Sequence, residues 1–102
     1  MNYKILNTDR FNDNLQDIIT YIRDEFSLKE AIEYLNYLEK QINNLMEFPN
    51  IGTIPHSLTL SKQGYRVLIG KQNLIIYKID TINKIITLYT IVSSKQDYNN
   101  LL

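Results

Sequence analysis

The chain has 102 residues, 44% of them hydrophobic, and 11 basic side chains balance 11 acidic ones. This length predicts a single domain, residues 1–102, with one hydrophobic core. Zero net charge argues against a non-specific nucleic-acid-binding protein. The sequence contains neither an apolar run near the ~20 residues of a membrane span nor a signal peptide, so we expect a cytoplasmic protein. No cysteine and a single histidine, His56, argue against a disulfide, a thiol nucleophile and a zinc site. We expect no cofactor.

The charges are distributed unevenly along the chain. Residues 1–50 carry five basic and nine acidic side chains, a net charge of −4, whereas residues 51–102 carry six basic and two acidic ones, a net charge of +4. Two interpretations stay open at this point. The acidic half is simply solvated, or the basic half faces a polyanion or an acidic partner while the acidic half faces away.

The first half of the chain predicts one short strand and two helices. Residues 3–6 read as the strand, and Thr8 or Asp9 can cap a helix that ends near Glu25. Apolar residues recur along this helix at spacings of three and four, which places them on one face. Ser27, with a glutamate three residues later, is typical of a capping box and predicts a second helix over residues 28–47. The short break between the helices predicts an antiparallel αα-hairpin.

The second half predicts a long loop and three strands. Prolines and a glycine interrupt residues 48–63, a loop long enough to suggest a functional role, in which residues 57–60 form a short strand or a turn. Three runs rich in Ile, Val, Leu and Tyr then predict consecutive antiparallel strands. Their approximate bounds are 64–70, 73–80 and 85–92, with turns at 70–73 and 81–84 and a final helical turn at 96–101.

The predicted fold class is therefore α+β, with the order β-α-α-β-β-β. We expect an antiparallel four-stranded sheet with the N-terminal αα-hairpin packed on one face and a short turn or helix at the C-terminus. The other face of the sheet then stays partly open, and it lies in the basic half of the chain.

Three motifs in this second half are similar to one known family. They are Gly64-Tyr65-Arg66, then Ile76-Tyr77-Lys78-Ile79-Asp80, and the closing Lys95-Gln96-Asp97-Tyr98 before Leu101-Leu102. Their order and spacing resemble the RelE/ParE superfamily, the toxins of bacterial type II toxin–antitoxin modules. The resemblance runs over nearly the whole chain and implies the architecture given above, together with roles in growth inhibition and plasmid stabilisation.

The resemblance leaves three functions open. The first is a RelE-like, ribosome-dependent mRNA endonuclease (an mRNA interferase), which works without a metal ion. The second is a ParE-like, non-enzymatic inhibitor of DNA gyrase, favoured by the weak acid and base complement of this chain. The third is an inactive member that only binds its antitoxin.

A metal-independent ribonuclease needs a base, an acid and positive charge on the phosphate. Arg66 suits the charge role because its planar fork meets two phosphate oxygens, and the resemblance implies that role; pairing with a carboxylate of its own fold is the alternative. The resemblance also points to Lys95, where many members carry arginine, and to Tyr98, which could stack on a base. Ser93 stands where a histidine or tyrosine is often found. His56 could supply the missing acid, although a plain surface histidine is the simpler interpretation.

Further lysines of the basic half form a diffuse set of candidate contacts to phosphate or another target: Lys62, Lys71, Lys78 and Lys84. Each of them alone could serve only solubility. Strand alternation places Lys78 on the same sheet face as Leu74 and Ile76.

The resemblance implies a partner as well as a target. The partner is a cognate antitoxin whose flexible C-terminal segment wraps the toxin, giving a toxin–antitoxin hetero-oligomer. A basic sheet with apolar edges can take up such a segment as an added strand or as an amphipathic helix. The target is mRNA on the ribosome or DNA gyrase, and no membrane is involved.

Overall fold

A computed structural model describes residues 2–93 of the chain. The predicted C-terminal turn at 96–101, and the candidate residues Lys95 and Tyr98, lie outside these residues. The elements in chain order are β1 (Lys4–Asn7), α1 (Asp9–Glu25), α2 (Leu28–Glu47), a 3₁₀ turn (Pro49–Ile51), α3 (Leu58–Lys62), β2 (Arg66–Ile69), β3 (Asn73–Asp80) and β4 (Ile85–Ser93). The predicted α+β class and the order of the main elements are confirmed.

The four strands form one sheet in the order β1-β4-β3-β2. The pairs β2–β3 and β3–β4 are antiparallel, as predicted. The prediction of an entirely antiparallel sheet is wrong for β1, which runs parallel to β4, with Lys4 opposite Ile85. The physical reason is that β1 pairs with the distant C-terminal strand and not with a sequence neighbour, and two helices separate it from β2. The sheet is therefore mixed.

The two long helices form the predicted αα-hairpin. The main-chain N–H groups of Phe26 and Ser27 both donate to the carbonyl of Ile22, which closes α1, and the Ser27 hydroxyl then accepts from the N–H of Glu30 at 3.1 Å. Half of the predicted capping box is thus confirmed. The other half is wrong, because the Ser27 N–H already donates to Ile22 and the Glu30 carboxylate does not bond back to it.

The main core lies between the helical hairpin and one face of the sheet, the inner face. Phe11 of α1 and Leu38 and Leu45 of α2 are fully buried there against the sheet. The strands contribute Leu68, Ile75, Tyr77, Ile86, Leu88 and Ile91. Burial of each large side chain stabilises the fold by about 1.5–3 kcal/mol, so this layer holds helices and sheet together.

A second and smaller apolar cluster lies on the opposite face of the sheet, the outer face. Val67, Leu74, Ile76 and Val92 are buried there, and Tyr65 packs against them. Alternation along β2 and β3 explains the division, because successive side chains point to opposite faces. The outer face is therefore not bare, and its more exposed part includes the aliphatic side chains of Ile69 and Leu6 as well as polar and aromatic ones.

The long segment between α2 and β2 contains more structure than the sequence indicates. Thr53 forms an isolated antiparallel bridge with Val67, and residues 58–62 form α3, capped by the Ser57 hydroxyl. The prediction of a strand or turn at 57–60 is thus wrong as to a strand: these residues begin a helix, because Ser57 satisfies the N–H of Leu60. Gly64 has a φ of 87° where the chain turns into β2, a conformation that favours glycine.

Candidate functional site

Arg66 lies at the start of β2, opposite Tyr77 in the register, and its guanidinium points to the inner face. Nη2 donates to the carbonyl of Gly52 at 2.6 Å and to that of Asn50 at 3.1 Å. These carbonyls belong to the segment around the 3₁₀ turn. The guanidinium therefore fastens the loop to the sheet, and its Nε is buried without a partner among the described residues.

The hydroxyl of Tyr77 completes this network. It donates to the carbonyl of Pro49 at 2.7 Å and accepts from the N–H of Gly52 at 3.1 Å. Burial raises the pKa of Tyr77 above its usual value, and the hydrogen bonds and charge of the neighbouring Arg66 and the Gly52 N–H partly oppose this rise. Gly52 has to be a glycine here, because a Cβ atom would lie within 2.9 Å of Tyr77 Cζ.

A different cluster occupies the exposed part of the outer face: the Tyr–Lys–Tyr cluster of Tyr65, Lys78 and Tyr89. The Nζ of Lys78 lies 4.3 Å from the ring centroid of Tyr65 and 5.8 Å from that of Tyr89. The two rings pack edge to face, with centroids 5.2 Å apart. Lys78 forms no ion pair with any residue among 2–93. Two rings thus hold an ammonium whose charge is not neutralised within the described chain.

Each strand positions one member of this cluster. Tyr65 is fixed just before β2, where its N–H donates to the carbonyl of Leu60 in α3. Lys78 follows the outer-face alternation of β3. Tyr89 is the extra residue of a bulge in β4, because the register jumps there from Ile76–Thr90 to Tyr77–Leu88. Bulges re-aim side chains and are frequent beside functional sites.

The cap of α1 holds this bulge in place. The Thr8 hydroxyl accepts from the N–H of Phe11 at 3.0 Å and donates to the carbonyl of Tyr89 at 2.8 Å. The N–H of Thr8 donates to the carbonyl of Leu88. One threonine therefore links the start of α1 to the strand that carries Tyr89.

Among residues 2–93, the structure does not bring the predicted site residues together. Arg66 faces the inner side of the sheet and Lys78 the outer side. Lys71 and Lys84 lie in turns at opposite ends of β3, each beside a tyrosine: Lys71 Nζ is 5.4 Å from the Tyr37 ring and Lys84 Nζ 5.2 Å from the Tyr3 ring. Lys62 ends α3, and His56 is exposed in the loop before α3. Their roles as catalytic or target-binding residues stay predictions.

No role for Tyr65 or Tyr89 is predicted from the sequence. Strand alternation does indicate the faces on which both tyrosines lie. It places Tyr65 on the same face as Val67, and Tyr89 on the face that does not carry Ile86 and Leu88. Their mutual contact depends on cross-strand register, which no local pattern contains. None of the helices among residues 2–93 is long and apolar enough to cross a bilayer, and these residues contain no group of three His, Asp or Glu side chains that could hold a metal ion.

Three solved structures have a fold similar to that of this chain. A chain of the chromosomal ParDE toxin–antitoxin system from Pseudomonas aeruginosa is similar, with a TM-score of 0.72, 16% identity and coverage of 89% of this chain and 95% of the other. So is a chain of the RelBE2 toxin–antitoxin complex from Mycobacterium tuberculosis, with a TM-score of 0.64, 12% identity and coverage of 91% and 99%. A mutant of the Escherichia coli toxin RelE in the free state has a TM-score of 0.59, 11% identity and coverage of 93% and 86%. These likenesses establish the toxin-type α+β fold.

The family model described as the ParE toxin of the type II toxin–antitoxin system parDE matches residues 5–98. The chain therefore belongs to the ParE family of type II toxins, within the RelE/ParE superfamily that its motifs resemble. No curated protein matches the sequence.

Proposed function

We propose that this toxin arrests bacterial growth by binding DNA gyrase, without cutting nucleic acid. The observation that supports this proposal is the position of Arg66, whose Nη2 is bonded to two loop carbonyls on the inner face. Nη2 already donates to two loop carbonyls, so a bidentate grip on two phosphate oxygens through Nη2 would have to displace them. The proposal places the toxin in the cytoplasm, where gyrase acts.

Three titrating groups of the described residues are also poorly suited to acid or base catalysis at neutral pH. General acid–base catalysis works best with groups whose pKa lies near the ambient pH. The pKa values of Tyr34 and Tyr77 are raised and that of Asp80 is lowered, so all three move away from neutrality. The Tyr–Lys–Tyr cluster offers a fixed cation and two partly exposed rings instead, which suits recognition of an acidic protein surface.

The same cluster favours one second candidate, RelE-like mRNA cleavage on the ribosome. An ammonium between two phenol rings can meet a phosphate while one ring stacks on a base. In this alternative Lys78 would contact a phosphate of the mRNA from the outer face, and Arg66, Lys95 and Tyr98 would keep the roles around the scissile phosphate that the resemblance implies.

An induction experiment separates the two candidates. The toxin is expressed from an inducible promoter, and incorporation of labelled thymidine and labelled methionine is followed over the first minutes. We expect DNA synthesis to stop first and purified toxin to inhibit supercoiling by gyrase in vitro. Immediate arrest of translation with mRNA cut at codons, and no effect on supercoiling, would contradict gyrase inhibition and establish the ribonuclease function.

The ParDE and RelBE2 relatives are toxin–antitoxin systems, which supports an antitoxin as partner of this chain. We propose that a strand of the antitoxin pairs with the edge of β1. The other sheet edge, at β2, is partly occupied, because Thr53 and Val67 exchange main-chain hydrogen bonds of 2.7 and 2.8 Å. In β1, the N–H groups of Lys4 and Thr8 face β4, so alternation points the main-chain groups of Ile5 and Asn7 outwards.

Co-expression with the adjacent gene tests the antitoxin proposal. The two proteins should co-purify, and the amides of Ile5 and Asn7 should gain protection from hydrogen exchange in the complex. A complex that protects neither amide would contradict the position on β1, and a toxin that expresses harmlessly alone would contradict the need for an antitoxin.

A further inference from the structure

A groove opens on the helical side of the molecule, away from the Tyr–Lys–Tyr cluster. It encloses about 410 Å³ between the end of α1, the first half of α2 and the β2–β3 turn. Phe26, Tyr34 and Tyr37 supply its aromatic walls, and Glu30, Glu33 and Lys71 its charged groups. Phe26 is 62% exposed, so a large ring is left available at the mouth of the groove.

The two carboxylates are not neutralised by the described chain. Glu30 and Glu33 are three residues apart on α2, which places them on one side of the helix. Neither forms an ion pair with a residue among 2–93. The Glu30 carboxylate is also released from its usual capping role, because the Ser27 N–H donates to Ile22 instead.

The aromatic wall already attracts a cation at one end. Lys71 lies with its Nζ 5.4 Å from the centroid of the Tyr37 ring, and its main-chain N–H donates to the Tyr37 hydroxyl at 3.0 Å. Tyr34 and Phe26, further along the groove, have no cation over their rings among the described residues. Burial and the neighbouring Tyr37 raise the pKa of Tyr34 to about 12, so this phenol stays protonated and does not add negative charge.

We propose that the groove binds an arginine side chain, flanked by apolar residues, in a linear segment of a partner protein. A guanidinium fits this chemistry because it stacks on aromatic rings and pairs with two carboxylate oxygens at once. The apolar neighbours of the arginine cover Phe26 and Tyr21, whose rings pack edge to face at 6.3 Å and are both largely exposed. An acidic segment is disfavoured, since Glu30 and Glu33 would repel it. The inference does not depend on the target proposed above, because the groove and the Tyr–Lys–Tyr cluster lie on different sides of the molecule.

A peptide titration tests the inference on the labelled full-length chain. The probe is acetyl-Gly-Leu-Arg-Leu-Gly-amide, and the matched control carries citrulline, which has the shape of arginine without the charge. NMR shifts should change at Phe26, Tyr34 and Tyr37, with a dissociation constant on the order of 1 mM. The citrulline peptide should bind the wild-type protein about tenfold more weakly than the arginine peptide does. The double variant Glu30→Gln/Glu33→Gln should bind the arginine peptide about tenfold more weakly than the wild type does.

The double variant Glu39→Gln/Glu47→Gln is the matched control on the protein, because it removes the same charge from α2 outside the groove. It should bind the arginine peptide as the wild type does. Equal binding of the citrulline peptide, shifts confined to another surface, or equal losses in both double variants would overturn the inference.

Discussion

The hydrogen bonds of Arg66 connect a strand to the main chain of the preceding loop. Its Nη2 donates to the carbonyls of Asn50, within the 3₁₀ turn, and Gly52, directly after it. Charged hydrogen bonds of this kind stabilise a fold more than neutral ones do. The structure therefore gives Arg66 a role in stability, whatever else it does at a target.

Replacement of Arg66 by alanine should lower the free energy of unfolding by about 2–3 kcal/mol, because two carbonyls lose a charged donor. Urea denaturation followed by circular dichroism measures the change. Arg66→Lys should recover part of the loss, and the exposed Lys62→Ala should show none. Unchanged stability together with lost toxicity would instead favour direct contact between Arg66 and the target.

The hydroxyl of Tyr77 should matter as much as its ring. Tyr77→Phe keeps the ring in the core but leaves the Gly52 N–H and the Pro49 carbonyl without their partner, so stability should fall by about 1–3 kcal/mol. Thermal unfolding measures this loss. Tyr89→Phe is the matched control, because the Tyr89 hydroxyl forms no hydrogen bond with the described residues, and a similar fall in both variants would contradict the network.

At the scale of elements, Thr8 joins the start of α1 to the bulge of β4. Thr8→Ala should destabilise the protein by about 2 kcal/mol, because both a helix cap and a bond to the Tyr89 carbonyl are lost. Ser27→Ala loses only the cap of α2 and should cost about 1 kcal/mol. Chemical denaturation of both variants gives the comparison, with Thr8→Ser as the conservative control. Equal costs for Thr8→Ala and Ser27→Ala would show that the contact with the bulge adds nothing.

The elements themselves could largely be predicted from local sequence. The apolar periodicity of α1 and α2, the break at Ser27 and the three late strands are local signals, and the structure confirms them. The parallel pairing of β1 with β4 was not predictable in the same way, because it joins residues some eighty positions apart. Helix α3 depends on a single capping serine within a segment that has no clear period.

The candidate site was less predictable than the fold. Alternation identified the strand faces, including Lys78 with Leu74 and Ile76, but not the side of the sheet that the helices cover. The helices cover the face to which Arg66 points, where it bonds to the 49–52 segment and is partly buried. Lys78 is left on the other face, between Tyr65 and Tyr89. The bulge at Tyr89 also reverses the alternation of β4, so that Ile91 rather than Thr90 joins the main core.

At the scale of the molecule, the burial of tyrosines makes the free energy of unfolding depend on pH in the alkaline range. The pKa of Tyr34 is raised to about 12 and that of Tyr77 is also raised, so the folded state holds these protons more tightly than the unfolded state. Their contribution is fully present below the usual tyrosine pKa of about 10 and is lost as the pH rises through the folded-state values. Urea midpoints should therefore fall between about pH 10 and pH 12, and Tyr34→Phe should make this fall smaller. If the urea midpoint of Tyr34→Phe fell with pH as steeply as that of the wild type, the fall would not be due to Tyr34.

Acidic and basic side chains are concentrated in different halves of the chain, the first of which holds the two long helices and the second three of the four strands. Among residues 51–93, five basic side chains face one acidic side chain, a net charge of +4, whereas residues 1–50 carry −4. The helical layer is thus acidic and the sheet-bearing half basic, and the Tyr–Lys–Tyr cluster lies on the outer face of that basic half. This division supports an acidic surface as the target of the outer face and a basic segment as the partner of the helical groove.

Growth arrest by outer-face variants tests this account most directly. Colony counts after induction are compared for wild type, Lys78→Glu and Lys40→Glu, each with its unfolding midpoint measured in parallel. Lys78→Glu should fold like the wild type but lose toxicity by on the order of tenfold or more, because it reverses the charge between the two rings. Lys40→Glu makes the same charge change at an exposed position of α2, on the helical side, and should stay toxic. A stable Lys78→Glu variant that arrests growth as strongly as the wild type would contradict the assignment of the Tyr–Lys–Tyr cluster as the target-binding site.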